Sequence, residues 1–297
     1  MSDPILVGLA LRDDDDAPLA LACRLARFMG APLALINVFP YEPGPRHAQP
    51  EFERALREDA RSKLDRVAKT LHADFEVTVH TCGRDSVVRG LHDAALALGA
   101  SQLVIGSTHR GPLLRVMPGG TGERLLHAAP CALTIAPRGY TGGRNGIRRI
   151  GAAFVDTPEG REALDAAVAM AVLGDGRLTV HTVLEPLPDP ADLALSGWIP
   201  PPPPDARSRI EQARSALRVR IPAGLDADVL VEEGEPGDRL AAASQQLDLL
   251  VCGSRGYGPV RTVLLGGVSG RLAHTAACPL VVLPRAADRA PAGHSAA

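Results

Sequence analysis

The chain has 297 residues, 45% of them hydrophobic and 22% charged, with a formal net charge of −2. That composition excludes a disordered, collagen-like or coiled-coil chain, and the length suits two domains of ~150 residues each. The small net charge gives no overall field for nucleic acid or acidic lipid, no apolar run reaches the ~20 residues of a membrane span, and no basic start of a secretory signal precedes residue 7; a cytoplasmic protein without nucleic-acid or membrane partners is expected.

Residues 5–9 form a short apolar run and read as a buried strand. From Ala17 onward Leu21, Leu25 and Phe28 recur at helical spacing, and Gly30 follows as a C-cap. Residues 33–39 read as a strand, 51–71 as a long helix whose many charges form a solvated face, and 75–80 as a third strand. A helix over 87–98, a strand over 103–105, a helix over 121–129 and a strand over 132–136 complete the series. The stretch 139–146, rich in Gly and containing Arg144, has the composition of a linker. Beyond it the order returns. A strand over 150–154 leads to a helix opened by Thr157-Pro158, a strand over 178–184 and a helix over 207–220. A strand over 229–231, a helix over 238–246 and strands over 249–251 and 280–283 follow.

The return is also literal. Val104, Gly106, Ser107, Pro112, Gly119 and Gly120 match Val251, Gly253, Ser254, Pro259, Gly266 and Gly267, each 147 residues later, and the register continues through Arg124/Arg271, His127/His274, Cys131/Cys278 and Pro137/Pro284. The chain is a tandem duplication, with units over 1–140 and 147–286 and a disordered tail over 287–297. Short Val/Leu/Ile strands alternating with helices belong in a parallel sheet covered on both faces, so each unit is an α/β, doubly wound domain.

In such sheets ligands sit beyond the carboxyl ends of the strands, where strand order reverses. The glycine loops after the fourth strand of each unit occupy that place. In the second copy Gly253-x-x-Gly256 permits a tight turn, and Gly266-Gly267 opens the last helix, whose N–H groups can hold phosphate, with the Ser269 hydroxyl in the same turn. The alternative is that these glycines serve turns and packing alone. The five cysteines form no C-x-x-C pair and read as buried structural thiols.

The run Gly253-Ser254-Arg255-Gly256, nine further residues, then Gly266-Gly267-Val268-Ser269, resembles the glycine loop of ATP-binding universal stress protein domains. The Cys-(Ala/Pro)-Leu ending of each copy resembles that family's last strand, so the likeness covers both halves. It implies two tandem Rossmann-like domains, each with a five-stranded parallel sheet, pairing through their last strands into an intrachain pseudo-dimer; two chains can also associate as a homodimer. It further implies adenine between the first two strand ends, beside Val183 or Val38, and triphosphate on the glycine loop.

There are departures from the family pattern. The Ser/Thr after the third glycine is Gly267 in one copy and Gly120 in the other, with Ser269 and Thr121 nearby. The family's adenine-binding aspartate falls on Ala10 and Val155, with Asp156 one residue later. In the first copy the loop reads Gly106-x-x-His109, then Gly119-Gly120-Thr121. The second copy is therefore expected to be the better nucleotide site. Asp13 to Asp16 read as a solvated capping run, His127 and His274 as helix-terminal residues, Arg124 and Arg271 as phosphate ligands or surface groups, and Pro200 to Pro204 after Trp198 as a rigid connection.

Neither G-x-G-x-x-G after the first strand, nor G-x-S-x-G, H-E-x-x-H or a P-loop occurs. The reading is a stress-response regulator that binds ATP, with or without Mg²⁺, and acts on an unknown protein partner without being a fast enzyme or carrying a metal site. Slow hydrolysis would need little beyond a bound triphosphate and a water. The alternative is a nucleotide-free interaction module of the same fold.

Overall fold

The structure, a computed structural model, describes residues 2–12, 16–41, 50–108, 111–142, 146–185, 205–254 and 267–284. The expected polyproline connection and C-terminal tail lie outside these residues. The first copy runs β1 (Ile5–Gly8), α1 (Ala17–Met29), β2 (Leu33–Pro40), α2 (Pro50–Leu71), β3 (Val77–Arg84), α3 (Val87–Ala97), β4 (Gln102–Gly106), α4 (Gly120–Ala128) and β5 (Ala132–Ala136). The second runs β6 (Arg149–Ala153), α5 (Pro158–Leu173), β7 (Arg177–Leu184), α6 (Ala206–Arg218), β8 (Ala227–Glu233), α7 (Pro236–Ala243), β9 (Leu249–Gly253), α8 (Gly267–Thr275) and β10 (Leu280–Leu283).

The local signals act as the sequence suggests. Gly30 adopts φ 63° and ends α1 by donating its N–H to the Ala26 carbonyl. Thr157 caps α5 by accepting from the Gly160 N–H at 3.2 Å. Two of the boundaries that differ from the sequence reading have a visible structural reason. The third strand begins at Val77, where its ladder with Leu33 begins, because Phe75 packs from the preceding turn under the Arg27 guanidinium, 5.2 Å from the ring centre. The helix expected over 238–246 ends at Ala243 and passes into a 3₁₀ turn at Ser244, whose buried hydroxyl donates to the Ala241 carbonyl at 2.6 Å and accepts from the Ala277 N–H at 2.8 Å.

Each copy forms a five-stranded parallel sheet, and the two join into one ten-stranded sheet of order β3-β2-β1-β4-β5-β10-β9-β6-β7-β8. The join is antiparallel, with Leu280 opposite Ile135 and Val282 opposite Leu133. Strand order reverses between β1 and β4 and again between β6 and β9, which puts a crevice beyond the strand ends of each copy. Two apolar layers cover the sheet. Leu21 and Leu25 of α1 share one with Ala163 and Leu164 of α5, and Leu133 and Ile135 of β5 share the other with Leu272 of α8 and Leu280 of β10. Both cores thus run through both copies. Among the described residues no helix is long and apolar enough to cross a membrane.

β7 buries a histidine. His181 stands beside Ala153 and Leu230 in register, where the first copy has Ile36, and its Nε2 has no hydrogen-bond partner. Burial pushes its pKa down, and nearby Glu232 offsets part of that. The unfolded chain, whose imidazole titrates near pKa 6.5, takes up a proton before the folded chain does. Stability is therefore full above about pH 6.5 and falls as pH drops below it. His181→Ile should flatten the unfolding free energy between about pH 7 and 5.5; a variant keeping the wild-type slope would contradict this origin. At the sheet join, Ile135→Ala should cost about 2–5 kcal/mol and lower one shared unfolding transition, whereas a second transition left at the wild-type midpoint would show the copies to be energetically separate.

Candidate functional site

The strand ends of the first copy enclose a cleft of about 600 Å³. β1 pairs with β2 only as far as Gly8 and Ile36, while β2 runs on to Pro40 along β3. Beyond the Leu9 N–H, which donates to the Ile36 carbonyl at 2.9 Å, β1 offers β2 no further ladder. The chain is held at this divergence by buried Asn37, whose Nδ2 donates to the Leu9 carbonyl at 2.7 Å. The result is an apolar floor of Gly8, Leu9, Ala10, Val38 and Phe39. The repeat partner of Asn37 is Thr182, and its hydroxyl makes the same link to the Phe154 carbonyl at 3.3 Å. Sequence reasoning passed over both residues because each lies within an otherwise apolar strand.

The other end of the cleft is polar. Gly106 ends β4, Ser107 and Thr108 follow it, and Gly119, Gly120, Thr121 and Gly122 open α4. The Ser107 hydroxyl is engaged in holding the loop, donating to the Ala136 carbonyl at 2.6 Å and accepting from the Met117 N–H at 3.1 Å. A Cβ on Gly120 would meet nothing within 4 Å, so that position borders open space.

Helix ends distinguish this cleft. The N-caps Ser86, Thr157, Asp205 and Glu235 of α3, α5, α6 and α7 each accept a hydrogen bond from the first turn. The N-caps of α1 and α4, Asp16 and Gly119, make no such side-chain bond, and both of these helices begin on the cleft. Ala17 of α1 and Gly119 to Gly122 at the start of α4 line the cleft, so the positive dipole ends of both helices border it. Among the described residues the lining adds three cations, Arg12, Lys63 and Arg138, and one carboxylate, Asp59, which Lys63 holds at 2.7 Å. Asp59 and Lys63 come from α2, whose charges the sequence reading gave to solvent alone. The cleft therefore combines an apolar floor with two helix N-termini and three cationic side chains in its lining.

The structure brings Val38, Gly106, Gly119, Gly120 and Thr121 together here, while His109 lies outside the described residues. In the second copy Arg255, Gly256 and Gly266 also lie outside them. Gly267, Val268 and Ser269 form the first turn of α8, with Ser269 buried. Val183 is half-buried on β7. Asp156 is exposed and engaged with Arg161 at 2.8 Å and Arg220 at 3.2 Å, and the Arg161 hydrogen bond holds its carboxyl below the usual range. α5 has 16 residues against 13 in α1, the added turn being at its N-terminus. That turn crowds the end of β9, where a Cβ on Gly253 would lie 2.8 Å from the Glu159 carbonyl oxygen.

Other sequence candidates have structural partners. Arg271 ties α8 to α7 through Asp238 at 2.5 Å, and His274 lies 3.8 Å from Glu123 of the first copy. Burial pushes the thiols of Cys131, Cys252 and Cys278 up to about 12, so they stay protonated. Among the described residues no three His, Cys, Asp or Glu side chains gather to hold a metal ion.

Comparison with known proteins places this geometry in a family. The chain is 30% identical over 304 residues to a universal stress protein of Mycolicibacterium smegmatis, with 95% of this chain and 97% of that one covered. It is 28% identical over 302 residues to one of Mycobacterium tuberculosis, covering 94% and 99%. A crystal structure of a universal stress protein from Archaeoglobus fulgidus has the same fold at 18% identity, with a TM-score of 0.72 over 96% of this chain and 99% of that one. The model of the universal stress protein family matches residues 1–137 and again residues 146–284, so the chain belongs to that family and carries its domain twice.

Proposed function

We propose that the protein is a stress-response regulator that binds an adenine nucleotide, ATP in particular, in the cleft of the first copy. The observation that carries this reading is that two helix N-termini without side-chain caps and three cations line one cleft together with an apolar floor. A flat apolar base suits the slot between β1 and β2. A chain of phosphates suits the α4 end, where backbone N–H groups and helix dipoles favour anions. The open space at Gly120 leaves room for phosphate to approach the backbone closely. The class of ligand is the one that the resemblance of the glycine loops implies, while that resemblance by itself favours the second copy.

Ala10 and Asn37 offer no carboxylate for reading the base, so recognition there rests on shape and on β2 backbone groups beyond the β1 ladder. Mg²⁺ enters with the triphosphate. Lys63 neutralises Asp59, the carboxylate of the described lining, so it is poorly placed to serve as a free general base. That supports a nucleotide that is held and sensed in preference to one rapidly consumed. Output then passes to a protein partner.

Gly120 and Gly267 are repeat equivalents, and a Cβ at either meets nothing within 4 Å among the described residues, so a side chain can start at either position without a Cβ clash. Calorimetric titration of the full chain with MgATP should show Gly120→Val weakening binding by roughly tenfold or more while the melting temperature stays near that of the wild type. Loss on Gly267→Val with Gly120→Val unaffected would move the site to the second copy, as the loop sequence by itself suggests. No binding by the wild type would favour the interaction module. Lys63→Ala, which removes one lining cation and frees Asp59, should weaken MgATP binding severalfold and make the remaining affinity less sensitive to salt; an unchanged salt dependence would remove Lys63 from the site.

A further inference from the structure

The connection from β4 to α4, whose ends at Ser107, Thr108 and Gly119 line the cleft, is built partly on the second copy through its described residues 111–118. Within it the Leu114 N–H donates to the Arg138 carbonyl at 2.8 Å, and the Arg138 N–H donates to the Arg115 carbonyl at 3.2 Å. Arg138 Nη1 reaches the Gly111 carbonyl at 2.7 Å, and the Thr108 N–H reaches the Met117 carbonyl at 2.7 Å. The next bonds leave the first copy. The Val116 N–H donates to the Ala276 carbonyl at 2.8 Å, and Arg115 Nη1 donates to the Thr275 carbonyl at 3.0 Å. The Val116 side chain is fully buried in the core layer that contains Ala276.

The second copy requires these bonds as much as the loop does. The last carbonyls of a helix have no intrahelical partner, and the C-terminal dipole end favours a cation. α8 ends at Thr275, and its terminal carbonyls receive their donors from Arg115 and Val116. On its own side that end is fixed by the Ala277 N–H on the buried Ser244 hydroxyl. The same last turn also touches α4, because His274 lies 3.8 Å from Glu123 in the first turn of that helix. Loop and helix, the two parts of the polar end, thus both meet the C-terminus of α8.

We infer that Arg115 is a positioning residue for the first-copy nucleotide site, and that this site and the end of α8 in the second copy are thermodynamically linked through it. The inference rests on the nucleotide reading above. The second copy holds the loop in its binding shape, and by reciprocity a ligand that needs that shape tightens the contact between the copies. A tandem chain thereby senses a ligand in one half and reports it in the other, along contiguous hydrogen bonds.

The test uses the full chain and MgATP, with calorimetric titration and amide hydrogen exchange. Arg115→Ala should weaken binding about fivefold or more, and Arg115→Lys, which keeps a donor and a charge, should restore most of it. In the wild type MgATP should slow exchange at Val116, Ala276 and Ala277, residues that a ligand confined to the first copy's strand ends would leave unchanged at 276 and 277. Exchange at 276 and 277 identical with and without MgATP, or wild-type affinity in a folded Arg115→Ala, would overturn the linkage and leave the nucleotide reading standing. A wild type without MgATP affinity would overturn both. Should Arg115→Ala fail to fold, the wild-type exchange measurement decides the linkage alone.

Discussion

A parallel sheet leaves a row of unpaired N–H and C=O groups along each outer strand, and such an edge is a template for unwanted pairing. Here the inner edges of the two copies satisfy one another. β5 and β10 pair antiparallel over Leu133 to Ile135 and Leu280 to Val282, and the rest of the architecture depends on that seam. It aligns the faces of the two sheets so that one apolar layer joins α1 to α5 and the other joins β5 to α8. The far edge at β3 is handled by side chains instead. Arg57 and Arg61 of α2 each donate to an outward carbonyl, those of Thr81 and Val79, at 3.4 Å.

The same seam brings the end of α8 against the loop after β4, which is why a ligand site formed by one copy borrows its support from the other. Orphan carbonyls at a buried helix end need donors, and the first copy's loop needs an anchor. One set of hydrogen bonds meets both needs. Exposed ion pairs elsewhere on the surface, such as Arg161 with Asp156, contribute little by comparison, because solvent screens them.

Duplication supplied two equivalent crevices, and small changes have since made them unlike. The extra turn at the start of α5 closes on Gly253, whereas α1 starts later and leaves its N-terminus at the mouth of an open cleft. Asn37 and Thr182 keep the same strand-end link in both copies. Ile36 and His181 show the opposite outcome, an apolar core position that became a buried imidazole without a partner for its Nε2. Such a group is carried at a cost in stability that rises with acidity.

The sequence by itself determined the repeat, the strand and helix series and the doubly wound class, because these rest on apolar periodicity, caps and turn residues within a few positions of one another. It identified the glycine loops and Val38 for the same reason, since chain chemistry near a strand end is local. It carries no signal where a side chain answers to a distant partner. Phe75 read as strand yet packs from a turn under Arg27, and Asp59 and Lys63 read as solvated charge yet line the cleft. Asp156, which looked available for a base, is engaged by Arg220, 64 residues away. Tertiary structure alone decided that the first copy's crevice stands open and which helix end supports its loop. Those outcomes depend on one added helical turn and on hydrogen bonds between residues 160 positions apart, distances over which no sequence pattern carries a signal.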